Sequence, residues 1–306
     1  MTSSSHFAIV TRDEIWSLDR HACLESRLIH GIADRSGDTI DARDDGDDEL
    51  RARCDEERER VRGALEPLRE GRARTVLSAR RENDRVDVSA IVSISILDLS
   101  VATTLPHVAA DFEMLRELAS VPPDAVAAYR QLPVVWRNGS GAVLLHEAAG
   151  HAAEHGHAPA KWPAWLTAVD ESDAGTADLL AGEMPRAIRR ESFTDVPAQR
   201  MTNVVAGNRG AEMDLPLPRI EILLVAGGRY EPLTEMVRLS IAAADLVGSR
   251  RAQRLRPFAI IESRATIANA LRGASGPLRR YPGVICSREG QDLFVGSFAP
   301  DLVTEF

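Results

Sequence analysis

Lysine is almost missing from this 306-residue chain: Lys161 stands alone, and the rest of the 37 basic residues are arginines. With alanine abundant, this reads as a GC-rich coding bias rather than a functional signal. A positive surplus is missing too. The net charge is -9, which argues against a nucleic-acid protein, whose electrostatic footprint is basic. Cysteine is scarce: Cys23, Cys54 and Cys286 are odd in number and widely spaced, which excludes a disulfide framework. No stretch approaches the ~18 apolar residues that span a bilayer. The N-terminal MTSSSHFAIVTRDE has no basic leader region and too short an apolar run for a signal peptide. The expectation is a cytoplasmic protein with no membrane and no nucleic-acid partner. In a reducing compartment a lone cysteine serves a metal or catalysis more often than a crosslink.

The length suits about two domains, with a core large enough to need no disulfide. Residues 1–35 mix short apolar runs with charges and give only a weak signal. Residues 36–48, SGDTIDARDDGDD, read as an acidic loop or hinge. From Glu49 to about Glu70 the chain is rich in Arg and Glu, with Val61, Leu65 and Leu68 at helical spacing: a surface helix laced with charge pairs. Residues 74–104 alternate apolar and polar side chains as strand pairs do. Residues 107–131 read as helix, broken at Pro122-Pro123. PVVW (133–136) is a short buried strand, Asn138-Gly139-Ser140-Gly141 a turn, and AVLLHEAAGHAAEH a helix. From about 219 the chain is strand-rich. RIEILLVAGGRYEP reads as a strand ending at a Gly-Gly turn, and the C-terminal stretch from Tyr281 as two short strands around a polar turn. The fold class is therefore α+β: a small N-terminal α+β domain over 1–130, then a β-rich domain over 131–306 carrying a metal-binding helix.

The chemistry concentrates in His146-Glu147-Ala148-Ala149-Gly150-His151. Neutral imidazoles hold zinc, and a carboxylate beside the first can take a proton from water. Histidines four apart lie about 40° apart around a helix; five apart, as here, they lie about 140° apart and cannot share an ion. The spacing therefore predicts a locally widened turn, such as a π-bulge, with Gly150 where the distortion is easiest. A competing reading overlaps it: His151-Ala152-Ala153-Glu154-His155 fits an inverted zinc motif at the ordinary spacing. Spacing alone leaves the two open, with no metal at all as the third reading.

Residues 133–154 resemble the metal-site segment of the TldD/PmbA metallopeptidase family. RRESFTDVPAQRMTN (189–203) resembles that family's R-R-E-S block, and GVICSREGQ (283–291) its C-terminal cysteine block, in the same order. The resemblance implies zinc as cofactor, with His146, His151 and Cys286 as ligands and Glu147 as general base. It places Glu154 just behind the ligands, and gives His155 no counterpart. Arg189, Arg190 and Arg200 are candidates to clamp a peptide carboxylate or backbone, and Asn203 to hydrogen-bond substrate. The implied function is hydrolysis of unfolded or small peptides, including removal of a leader from a modified peptide precursor. The alternative is a non-catalytic, zinc-holding, peptide-binding subunit that supports an active partner. The implied assembly is a homodimer, or a heterodimer with a related subunit. The chain departs from the family in a reduced N-terminal region, a compressed stretch before Arg189, and Arg288 where a lysine is usual.

Overall fold

The structure, a computed structural model, describes residues 7–33, 39–40, 47–82, 85–189, 198–210, 212–248, 252–288 and 291–306. They fall into two compact units. The first is built on Met1–Ala119 and takes in Cys286–Phe294; the second comprises Ser120–Arg189, Gln199–Ile285 and Val295–Phe306. The sequence suggested a division near residue 130.

The first unit contains strands β1 (Phe7–Ser17), β2 (Ala22–Ala33) and β3 (Thr39–Ile40), helix α1 (Asp47–Leu65), strands β4 (Arg72–Glu82), β5 (Arg85–Ile96) and β6 (Leu99–Thr103), and helix α2 (Val108–Ala119). The strands run antiparallel in the order β6-β5-β4-β1-β2-β3. The weakly legible N-terminus is thus a long hairpin. Its signal is masked because Glu14 occupies a fully buried position in β1. That carboxylate is compensated by Arg58 Nε at 2.7 Å and Ser26 Oγ at 2.9 Å, as a buried charge requires. Helix α1 buries Leu50, Cys54, Val61 and Leu65, a stripe at three- and four-residue spacing. Its exposed face carries ion pairs such as Arg53–Glu56 and Arg62–Glu59, three residues apart. Helix α2 stops at Ala119. Beyond Pro122-Pro123, where the sequence suggested more helix, the amides of Asp124 and Ala125 donate instead to Arg254 O.

The second unit is organised around β7 (Val134–Trp136), completely buried. Next come helix α3 (Gly141–Leu145), a π-helical turn (His146–Gly150) and helix α4 (His151–Glu154). The remaining elements are β8 (Leu166–Ser172), β9 (Gly175–Asp178), β10 (Ile188–Arg189), β11 (Ala198–Gln199), β12 (Asn203–Asn208), β13 (Arg219–Glu231), β14 (Met236–Val247), β15 (Ala252–Arg254), β16 (Phe258–Ser263), helix α5 (Arg264–Ala270), and β17 (Leu271–Arg288) and β18 (Gln291–Thr304), whose Cys286–Phe294 stretch is counted with the first unit. β7 lies between β13, parallel, and β18, antiparallel. β12 joins β18 to β8, and β14 pairs with β13, β15 and β16. The arrangement is mixed α and β, as expected. The C-terminal pair is much longer than the two short strands expected: β17 has 18 residues and β18 has 14. β17 continues through Gly276 and Pro277, residues that usually punctuate a strand. No described helix is long and apolar enough to cross a membrane.

The step from β7 into the metal-site helix is fixed tightly. Asn138 and Gly139 have φ of 54° and 85°, so the expected turn is present. A Cβ on Gly139 would sit 2.5 Å from Arg279 O. Asp301 Oδ1 accepts from the Asn138 amide at 2.8 Å, and its other oxygen pairs with Arg137. The helix that follows is buried at every residue from Gly141 to Gly150, the pattern of a core helix rather than an amphipathic surface one.

Candidate metal centre

The widened turn that the five-residue spacing demands is present. His146–Gly150 is π-helical, and the His151 amide donates to His146 O, an i→i+5 bond. That bond brings the fifth residue back over the first. The His146 and His151 rings consequently meet with centroids 4.7 Å apart at 77°. The role of Gly150 differs from expectation. Its φ of -63° and ψ of -54° are ordinary helical values, so it relieves no backbone strain. Its lack of a side chain admits Met201 instead: a Cβ there would lie 2.0 Å from Met201 Sδ.

His146, His151 and Cys286 each offer one ligand atom, all within 4.8 Å of one another. Cys286 lies on β17 and is 5% exposed. A tetrahedral zinc site, with bonds of about 2.0–2.1 Å to nitrogen and about 2.3 Å to sulfur, has ligand atoms roughly 3.3–3.6 Å apart. The three atoms here lie within 4.8 Å, close enough to gather around one ion. The state of the donors also suits a metal. Burial pushes the His146 imidazole down to about 3, with His151 adding to the effect, so the ring is neutral. Its Nδ1 is buried and has no hydrogen-bond partner among the described residues.

Glu147 faces both rings. Its carboxylate oxygens lie 4.0 Å from His146 Nε2 and 3.7 Å from His151 Nε2. Burial pushes its carboxyl up to about 7, against a pull from His151 and with a push from Glu154. A carboxyl near 7 both takes and gives a proton at neutral pH, as a general acid–base group must. Behind it passes β13. A Cβ on Gly228 would fall 2.4 Å from Glu147 Cγ and 2.5 Å from Oε1. The Gly-Gly pair is therefore not a turn: β13 runs through it to Glu231. Upstream, bulges between Ile222 and Gly227 interrupt the ladder, and the Tyr281 hydroxyl accepts from the Val225 amide at 2.8 Å.

Glu154 reaches back to the ligands. Its Oε2 is 2.9 Å from His151 Nδ1, and its Oε1 accepts from the Met201 amide at 3.1 Å. Burial alone would raise this carboxyl, but the bond and charge of His151, with the Met201 amide, hold it well below the usual carboxylate range. His155 is not part of the metal cluster. Its ring lies 6.1 Å from His157 and 6.2 Å from Tyr230, and Tyr230 Oη is 2.6 Å from His157 Nδ1. Since His151 Nδ1 is turned to Glu154 and its ring to His146, the geometry favours the His146–His151 spacing over the inverted motif.

No family model and no curated protein matches the sequence. Among solved structures, TldE from Thermococcus kodakarensis overlays on 99% of this chain and 96% of its own, with a TM-score of 0.53 at 10% identity. The chain shares the fold of TldE. A Bacteroides thetaiotaomicron protein provisionally described as a modulator of DNA gyrase overlays at a TM-score of 0.46, also at 10% identity, over 99% of this chain and 93% of its own. At these identities TldE speaks for the fold alone, and it supports the TldD/PmbA-type fold expected from the motif blocks.

The residues nominated for substrate separate in this TldE-like frame. Arg190 lies outside the described residues. Arg200 is 1% exposed, with Nε 3.7 Å from Glu154 Oε1. So buried, it presents no solvent-facing surface. Asn203 donates through Nδ2 to Glu171 O at 3.0 Å, and its Oδ1 lies against Gly296, where a Cβ would come within 2.2 Å. The amides of Thr202 and Asn203 both donate to Asp170 Oδ1, at 2.6 and 3.0 Å. Arg189 Nη2 donates to Thr202 Oγ1 at 3.0 Å. Sequence reasoning missed Gly228 and Met201. The signals were a glycine pair inside a strand pattern, where close backbone approach is an alternative to a turn, and a methionine in a block of polar residues.

Proposed function

We propose that the chain is a zinc-dependent peptidase of the TldD/PmbA type, acting on unfolded or small peptides. The single observation that carries this reading is the orientation of Glu147 toward the His146 and His151 rings, within a cluster that Cys286 completes. A donor set of two imidazoles and a thiolate favours zinc. Three protein ligands leave a fourth position for water or substrate, the pattern of catalytic rather than structural zinc.

Zinc bound there would polarise the scissile carbonyl and make a water molecule easier to deprotonate. Glu147 accepts the proton of that water on a carboxylate oxygen as the water oxygen bonds to the carbonyl carbon. It then delivers the proton to the amide nitrogen as the C–N bond breaks, leaving an acid and an amine. Gly228 keeps the Glu147 side chain in place, and Glu154 orients His151. An extended peptide has a docking edge on β13. Its Gly227–Glu231 stretch pairs with β14 on one side, and no strand among the described residues covers the other. Strand addition there would use main-chain bonds and suit many sequences.

Such a broad site would serve to remove a leader from a peptide precursor within a cytoplasmic dimer, either of this chain with itself or with a related subunit. The test is Glu147→Gln at full zinc content, with unfolded peptides as substrate. Loss of cleavage with zinc retained is expected. Unchanged cleavage would overturn the assignment, and absence of cleavage by the intact protein would favour the zinc-holding, peptide-binding alternative.

A further inference from the structure

We propose that Arg200 and Met201 position the metal through Glu154 and Gly150, and take no part in binding substrate. The inference rests on the reading above only in taking His151 as a metal ligand. Glu154 has a fully buried side chain, and a carboxylate so placed persists only with compensating partners. Its partners divide by oxygen. Oε2 faces His151 Nδ1, while Oε1 accepts from the Met201 amide and has Arg200 Nε at 3.7 Å. With Nδ1 directed at Glu154 Oε2 at 2.9 Å, the ring donates from that nitrogen. The Nε2 lone pair is then free for an ion, the arrangement in which an outer carboxylate orients and strengthens a ligating imidazole.

The same two-residue step acts at a second point. Met201 Sδ fills the space above Gly150, the last residue of the widened turn that spaces His146 from His151. Arg200 and Met201 thus bear on both the tautomer of one ligand and the separation of the two. Their burial, 1% and 2% exposed, suits that task and does not suit contact with a peptide arriving from solvent.

The experiment measures zinc affinity of the purified protein by competition with a chromogenic chelator, without peptide. Arg200→Met and Glu154→Gln should each weaken zinc binding by about 10–100-fold, the usual effect of losing such an outer partner. Arg200→Lys, which keeps the charge, should recover much of the loss. At saturating zinc, KM for an unfolded peptide should be unchanged in Arg200→Met. Wild-type zinc affinity in Arg200→Met or in Glu154→Gln would overturn the proposal. So would a raised KM with unaltered affinity, which would return Arg200 to the substrate surface. Should Arg200→Met fail to fold, the isosteric Glu154→Gln carries the same expectation. Zinc binding that responds this way in a chain that cleaves nothing would leave the proposal standing and sink the peptidase reading.

Discussion

Gly228 lies so close to Glu147 that even a methyl group would overlap its carboxylate, since a Cβ would be 2.5 Å from both Glu147 Cδ and Oε1. The glycine is a wall of the site rather than a joint in the chain. Gly228→Ala should therefore displace the Glu147 side chain without touching a metal ligand. A misplacement of about 1 Å commonly costs on the order of 100-fold in rate. The expected result is a kcat lowered by about that factor with zinc content unchanged, read by peptide hydrolysis beside metal analysis.

Gly150→Ala should destabilise the fold through Met201. The new Cβ would stand 2.0 Å from Sδ in a buried contact, and overpacking of this kind costs about 1–3 kcal/mol. Met201→Ala in the same chain should recover part of that loss. Denaturant unfolding of the two single variants and the double variant measures the coupling. Additive losses would show that the two side chains do not compete for space.

Removing Glu147's charge should change how metal-free protein responds to pH. Its carboxyl titrates near 4.5 when unfolded and at about 7 when folded. Between those values the native state binds more protons, so this group's contribution to stability falls as pH rises from 4.5 to 7. Glu147→Gln has no such loss. Relative to wild type, the apo variant should gain about 2–3 kcal/mol on going from pH 4.5 to pH 8. Thermal or denaturant unfolding at the two pH values checks the sign.

Metal addition and removal should separate the two overlapping motifs. Zinc at about a thousand times its dissociation constant stabilises a native state by about 4 kcal/mol. The wild-type protein and His155→Ala should both show an upward shift in Tm with zinc and lose it with a chelator. Cys286→Ala should show little of it. A normal zinc response in Cys286→Ala, with none in His155→Ala, would reinstate the inverted motif.

Much of this was legible in sequence because local chemistry dictated it. Five-residue spacing on a helix has one geometric remedy, and His146–Gly150 adopts it. The turn at Asn138-Gly139 followed from residue types that tolerate positive φ. What escaped were features set by distant parts of the chain. Glu14 hides a strand because its partner, Arg58, comes from a helix far along the sequence. Gly227-Gly228 read as a turn because nothing local announces that Glu147 will lie against it. Arg200 read as a clamp because burial is decided by packing rather than by residue type.

The wide turn also bears on how this sequence can change. Deleting one alanine, Ala148 or Ala149, would leave two histidines at the common four-residue spacing on an unbroken helix. The residues that follow would keep the faces they now present, because the five-residue turn already absorbs the surplus position. Glu154 would still meet the Met201 amide, and a glycine would still lie beneath Met201 Sδ. Conversion to the simpler motif is thus open to a single deletion, which would alter the outline of the turn and leave the helix beyond it as it is.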